Sequence, residues 1–349
     1  MRLPASLRVE TSTACQLRCP TCPTADGKTR GTIGIGYLKP TDFEALLEKN
    51  PRVRHVELSN WGEMFLNPEL VAILEAADRR GVALSADNGV NLNHADDRVL
   101  EALVKHRFRS MTCSIDGASE ETYKIYRRGG SLARVLSRIR RLNELKTRHG
   151  SQEPRLRWLF VAFGHNQHEI PAARALAAEL NMTFFVKLAW QDLYAPEEFS
   201  PVTDAAAIAR ETGLGVADRR EYYARNGVAY HQRTICSQLW KAPQINWDGR
   251  MLGCCVNYWG DFGNVFRDGL SETFHGGKMS YARAMLEGKK PARADIPCTT
   301  CSFYLTMKRD GNWMGSKDLR GTPWMSRAAR ALKRRLRRAS GAEIAAQSS

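Results

Sequence analysis

The sequence predicts an α/β protein: parallel strands alternating with helices, followed by a small cysteine-rich unit. Three observations predict this. Six apolar runs recur between amphipathic segments at the spacing of βα units. The run from Trp158 to Phe163 contains no polar residue, as expected of a strand covered on both faces. The cysteines, apart from Cys113, fall into two groups: Cys15, Cys19 and Cys22 near the start, and Cys236, Cys254, Cys255, Cys298 and Cys301 toward the end.

Taken in order, residues 7–10 read as the first strand and lead into the first cysteines. Gly27, Gly31, Gly34 and Gly36 then interrupt any helix. Capping residues at 41–44 precede Leu46 and Leu47 and start a helix. Residues 53–58 form strand two. Residues 68–80 are helical, with Leu70, Val71, Leu74 and Ala77 on one face and Gly81 as the stop. Strand three is 82–86, followed by a helix at 97–105 and strand four at 110–116. Helices at 120–126 and 132–145 lead to strand five at 156–163. A helix at 171–180 precedes strand six at 183–189. Right-handed crossovers curl such a sheet into an open barrel or a doubly wound sheet, and periodicity does not choose between them.

The 349 residues suffice for one large domain and a smaller one. The expected division is 1–195 for the αβ unit, 196–232 for a linker with a helix, 233–310 for the cysteine-rich domain and 311–349 for a basic tail. No apolar run is long enough to span a bilayer, and the N-terminus lacks a signal-peptide core. Reduced thiols without such a signal point to the cytoplasm. The formal charge is +15, part of it in the stretch from Arg327 to Arg338, which has seven Lys or Arg residues and no acid. A basic body suits an acidic ligand such as a phosphate or carboxylate.

The first cysteines are spaced C-x3-C-x2-C. Thiolates this close can share one metal centre. An iron–sulfur cube takes four ligands, so three cysteines leave one iron open to a small molecule. A zinc site would want a fourth protein ligand, and no His or Cys follows Cys22 closely.

At these residues the chain resembles the radical S-adenosylmethionine superfamily. The resemblance implies a partial (β/α)6 barrel with its site at the strand C-termini, a 4Fe–4S cluster on Cys15, Cys19 and Cys22, and S-adenosylmethionine on the open iron. It also implies cofactor-binding roles at later positions. Gly62 and Glu63 match the Gly-Gly-Glu-Pro-like turn, although Trp61 and Met64 replace its usual Gly and Pro. Asn88, before Gly89, is similar to the end of strand three in relatives. Strand alternation puts Ser114 and Asp116 on one face, toward ribose or substrate if that face is the lumen. Relatives use an arginine near here for the cofactor carboxylate; Arg128 is favoured and Arg127 is the alternative. Asn166 and Glu169 resemble the pattern near the adenine.

The second group reads as Cys236, then Asp248-Gly249 as a hairpin signal, then Cys254-Cys255, then Cys298-Thr299-Thr300-Cys301. Four of these thiols close a tetrahedral metal site, and zinc is chemically possible. The order resembles the SPASM auxiliary-cluster domain, shortened to a single, twitch-like cluster. This implies a second 4Fe–4S cluster on Cys236, Cys254, Cys298 and Cys301, with Cys255 as the alternative to Cys254. The thiol left over is either inert or a hydrogen-atom donor to a substrate radical.

The resemblance thus implies an enzyme that cleaves S-adenosylmethionine to a 5′-deoxyadenosyl radical, fed by a flavodoxin- or ferredoxin-type donor. No peptide-recognition module of some eighty residues precedes Cys15, which favours a small-molecule substrate: a sugar, aminocyclitol or phosphorylated metabolite undergoing dehydrogenation or epimerisation. The alternative is a maturase of ribosomally made peptides. An alternative of another class is a non-catalytic iron–sulfur or zinc protein. Residues 324–340 read as a basic amphipathic helix suited to peripheral membrane contact. Nucleic-acid binding is not expected, because aromatic interleaving is sparse.

Overall fold

The computed structural model describes residues 1–190 and 199–319. The amphipathic stretch 324–340 lies outside the described residues. Among the described residues no helix is long and apolar enough to cross a membrane.

Six βα-type strands form as the apolar runs require: β1 (Ser6–Val9), β2 (His55–Glu57), β3 (Ala83–Val90), β4 (Ser110–Ser114), β5 (Arg155–Ala162) and β6 (Thr183–Leu188). Each pairs with the next in parallel, in consecutive order. The sheet stays open, as in a partial (β/α)6 barrel. The crossovers carry α1 (Pro40–Lys49), α2 (Leu70–Arg79), α3 (Asp97–Lys105), α4 (Glu120–Tyr126), α5 (Leu132–Arg148) and α6 (Ile170–Glu179). Three start on side-chain caps: Asp96, Ser119 and Ser131 accept the backbone N–H groups of Val99, Thr122 and Arg134.

The strand faces divide two environments. On β5, Leu156, Trp158, Phe160 and Ala162 join the main core beneath the helices. Leu159, Val161 and Phe163 point the other way, into a smaller cluster with Tyr126 on the inner face of the sheet.

A seventh strand corrects the count. The two residues Gln244–Ile245 (β7) pair in parallel with β1, so the cysteine-rich unit extends the barrel sheet. A two-residue strand carries no periodicity to be read. The hairpin signal at Asp248-Gly249 forms a tight turn, but its pairing is reduced to the isolated bridges Ile245–Met251 and Arg250–Asn264. Two strand ends also differ from expectation. β3 runs on through Asn88 and Gly89, with a register shift against β4 between Ala86 and Val90. β4 stops at Ser114, so Asp116 lies beyond the alternation assumed for it.

Candidate active site

The loop that follows β1 is tied down at several points. The Thr11 hydroxyl donates to Leu58 O at 2.9 Å, and the Asn67 amide donates to Thr11 O and Leu38 O at 2.9 and 3.0 Å. Farther along, Arg18 N donates to Arg128 O at 2.9 Å, Thr21 Oγ1 meets the Tyr126 hydroxyl at 2.7 Å, and Thr24 Oγ1 donates to Trp61 O at 2.6 Å. These bonds hold Cys15, Cys19 and Cys22 on one cavity of about 230 Å³ at the C-terminal ends of the strands. Burial pushes the Cys15 thiol up to about 12 and the Cys19 thiol up to about 11. Glu63 and the neighbouring thiols add to the rise at Cys15, while at Cys19 Arg127 opposes burial and Cys22 adds to it. Charged sulfurs are thus expensive here without a cation, which is the environment in which thiolates are held by metal.

The turn at Gly62 is fixed by a buried carboxylate that sequence reasoning missed. Both Glu10 oxygens accept Trp61 N, at 3.1 and 3.0 Å, and one accepts Gly62 N at 3.2 Å. Burial pushes Glu10 up to about 7 against these bonds. Gly62 is required by contact: a Cβ there would lie 2.1 Å from Ser12 O. Glu63 accepts Asn91 N at 2.7 Å and Phe65 N at 3.2 Å, and burial pushes it up to about 7. Glu57 does for β3 what Glu10 does for the turn. It accepts the Ser59 and Ser85 hydroxyls at 2.7 and 2.6 Å and the N–H groups of Asp87 and Asn88 at 2.8 and 3.1 Å. The signal available for both residues was a carboxylate at the end of an apolar strand.

Gly62, Glu63, Asn88 and Ser114 all line the cavity; Asp116, Arg128, Asn166 and Glu169 do not. Asp116 is fully buried and accepts Arg127 Nε at 2.6 Å and Val161 N at 2.8 Å. The guanidinium reaching the cavity is that of Arg127, with Nη1 3.9 Å from Cys19 Sγ. Arg128 gives its carbonyl to the cysteine loop instead. Asn166 staples β5, accepting Phe163 N at 2.8 Å and donating to Val161 O and Asp116 O at 3.0 and 3.1 Å. Glu169 accepts Ala118 N and the Ser119 hydroxyl, both at 2.6 Å.

The second thiol group separates cleanly. Cys236, Cys254, Cys298 and Cys301 line one small apolar cavity of about 20 Å³. Burial, then mutual repulsion, drives the Cys236 and Cys254 thiols well above their usual range. Among the described residues no three His, Cys, Asp or Glu side chains close on a single ion position. Four thiols set around a space suit a cube, which gives each sulfur its own iron.

Cys255 turns away from its neighbour and lines the first cavity, with Cys15, Cys19 and Cys22. Gln238, also missed from sequence, clamps it: Cys255 N donates to Oε1 at 2.7 Å and Nε2 donates to Sγ at 3.4 Å. Asn60 Nδ2 donates to Cys255 O at 3.0 Å and joins this turn to the end of β2.

Two family models match this arrangement. One, described as the radical SAM superfamily, spans residues 9–154, and the other, an iron–sulfur cluster-binding domain of the SPASM type, spans 236–302. The chain belongs to the radical SAM superfamily. Radical SAM enzymes use S-adenosylmethionine with 4Fe–4S chemistry, and this is such an enzyme. Solved structures agree in fold. SuiB of Streptococcus suis bound to S-adenosylmethionine is 15% identical with a TM-score of 0.62, over 86% of this chain and 71% of that one. SuiB bound to the precursor peptide SuiA gives 14% and 0.61, over 86% and 70%. The protein anSMEcpe with bound AdoMet is 15% identical with a TM-score of 0.56, over 86% of each chain. No curated protein matches the sequence.

Proposed function

We propose that this radical SAM enzyme epimerises a small polar molecule, with Cys255 as the hydrogen-atom donor. The position of Cys255 carries the reading: its thiol opens onto the cavity of the first three cysteines, while its neighbour Cys254 joins the other thiol group. In this reading Cys15, Cys19 and Cys22 hold the first 4Fe–4S cluster, and Cys236, Cys254, Cys298 and Cys301 hold an auxiliary one. Gly62 and Glu63 receive the cofactor's amino group, with Arg127 at the cysteine end of the same cavity. When bound, the cluster and S-adenosylmethionine supply a 5′-deoxyadenosyl radical able to take hydrogen from an unreactive C–H bond.

The chain's own residues do the rest. Asn60, Asn88, Asn91 and Ser114 line the cavity with hydrogen-bonding groups that suit a hydroxylated substrate, while Leu159 and Val161 exclude water. Cys255 gives its S–H hydrogen to the substrate carbon from the face opposite abstraction. A C–H bond forms and the sulfur is left as a thiyl. One electron and one proton, from a ferredoxin- or flavodoxin-type donor and solvent, restore the thiol.

The test is a screen of sugars, aminocyclitols and phosphorylated metabolites against a precursor peptide, run in D2O. The epimer carries one solvent deuterium at the inverted carbon. Cys255→Ala still forms 5′-deoxyadenosine but loses that deuterium and the epimer. Unchanged epimer formation by Cys255→Ala with its iron intact would sink the assignment, and turnover of the peptide alone would sink the substrate class.

Gly62→Ala is expected to displace the turn against Ser12 and Ala14. Turnover falls on the order of a hundredfold, as for an ångström-scale misplacement, and calorimetry reads weaker S-adenosylmethionine binding. Wild-type affinity in that variant would remove the turn from the site.

A further inference from the structure

The cavity has a second polar end, on β6. The register pairs Val161 with Lys187, and alternation places Leu159, Val161 and Lys187 on the inner face. All three line the cavity, as does Trp190 just beyond the strand. Lys187 is half-buried here, and a charge drawn partly out of water gains from a partner of opposite sign.

The other ionic groups at the cavity have their partners. Arg127 meets Asp116 at 2.6 Å, and Glu63 accepts two backbone N–H groups. No carboxylate among the described residues lies within ion-pair distance of Lys187. Among the described residues Trp190 and Arg219 lie beside it. Its Nζ sits 4.7 Å from the Trp190 ring centre, and the Arg219 guanidinium carbon lies 3.8 Å from the same ring. His231 stacks on Trp190 at 5.7 Å. Burial, then Arg219, pushes Lys187 down to about 8.

We propose that Lys187, set beside Trp190, binds an anionic group of the substrate, a phosphate or a carboxylate. This rests on the reading of the cavity as a small-molecule site and deepens it: the substrate is anchored by its anion at β6. The reacting carbon lies between that anchor and the cysteine end of the cavity. A charge-assisted bond from the ammonium supplies the orientation. Cys255 lines the same cavity as Lys187.

The test is calorimetry of the full-length reconstituted protein with inorganic phosphate and with acetate, which needs no turnover. Failure here is thus distinct from failure of the hydrogen-transfer reading, which is judged by deuterium in the product. Wild type binds at least one of the two anions. Lys187→Gln weakens that binding by about tenfold or more, the effect of losing a charged hydrogen bond. Lys187→Arg keeps it, and iron content verifies that each variant is folded. Preference for phosphate assigns a phosphate ester, and preference for acetate a carboxylate; either supports the site. Equal binding by wild type and Lys187→Gln, or no binding of either anion by wild type, overturns it.

Discussion

Changing any one of Cys15, Cys19 or Cys22 to alanine abolishes S-adenosylmethionine cleavage and leaves about half the iron, roughly four atoms of eight. The two losses together are diagnostic. The three sulfurs share one cavity, so removing one leaves two ligands for a centre that needs an open iron and three holders. The other four thiols line a separate cavity and keep their iron. Cys236→Ala gives the converse: iron falls by a similar amount while cleavage of S-adenosylmethionine persists. Iron and sulfide analysis with a 5′-deoxyadenosine assay reads both. Loss of all iron from either variant would mean that the two groups are not independent.

Arg127→Met is expected to destabilise the fold by about 3–5 kcal/mol, the cost of breaking a buried ion pair on one side. The Asp116 carboxylate is fully buried, and without the guanidinium Val161 N is what remains to hydrogen-bond it among the described residues. Such a loss is a large fraction of ordinary domain stability. Asp116→Asn also destabilises, because Arg127 Nε and Val161 N bond different oxygens of the carboxylate and an amide keeps an acceptor for only one of them. Arg127→Met combined with Asp116→Leu recovers part of the loss, since no charge is then stranded. Urea unfolding of the metal-free chain measures all three. Arg127→Met within about 1 kcal/mol of wild type, the scale of an exposed pair, would show that this pair does not brace the site.

The strands were legible through their apolar positions, continuous and buried from Trp158 to Ala162 in β5 and alternating in β1. Their ends were not. Asp116 was placed by an alternation that stops at Ser114, and the register shift, in which β3 runs from Ala86 to Val90 while β4 runs only from Met111 to Cys113, breaks the period of two within β3. Cys15, Cys19 and Cys22 were legible from spacing alone, since thiols four and three residues apart in a loop cannot be far apart in space. Adjacent residues defeated the same reasoning. Arg127 and Arg128 are equivalent as sequence, and the end of α4 decides which guanidinium enters the cavity. Cys254 and Cys255 are likewise separated only by the fold. The turn at Gly253, with φ of 82°, and the Gln238 clamp send one thiol to each cavity. Lys187 was hidden for another reason: a single lysine in a strand looks like a solvent-facing residue until the partner strand shows which face is inward.

The central claim is that the first three cysteines leave one coordination position for S-adenosylmethionine and the chain splits it there. It is tested most directly by incubating the anaerobically reconstituted, dithionite-reduced protein with S-adenosylmethionine and quantifying 5′-deoxyadenosine. The account predicts 5′-deoxyadenosine and methionine in equal amounts, formed by wild type and absent in Cys19→Ala. Intact S-adenosylmethionine in the presence of a full iron and sulfide complement would contradict it.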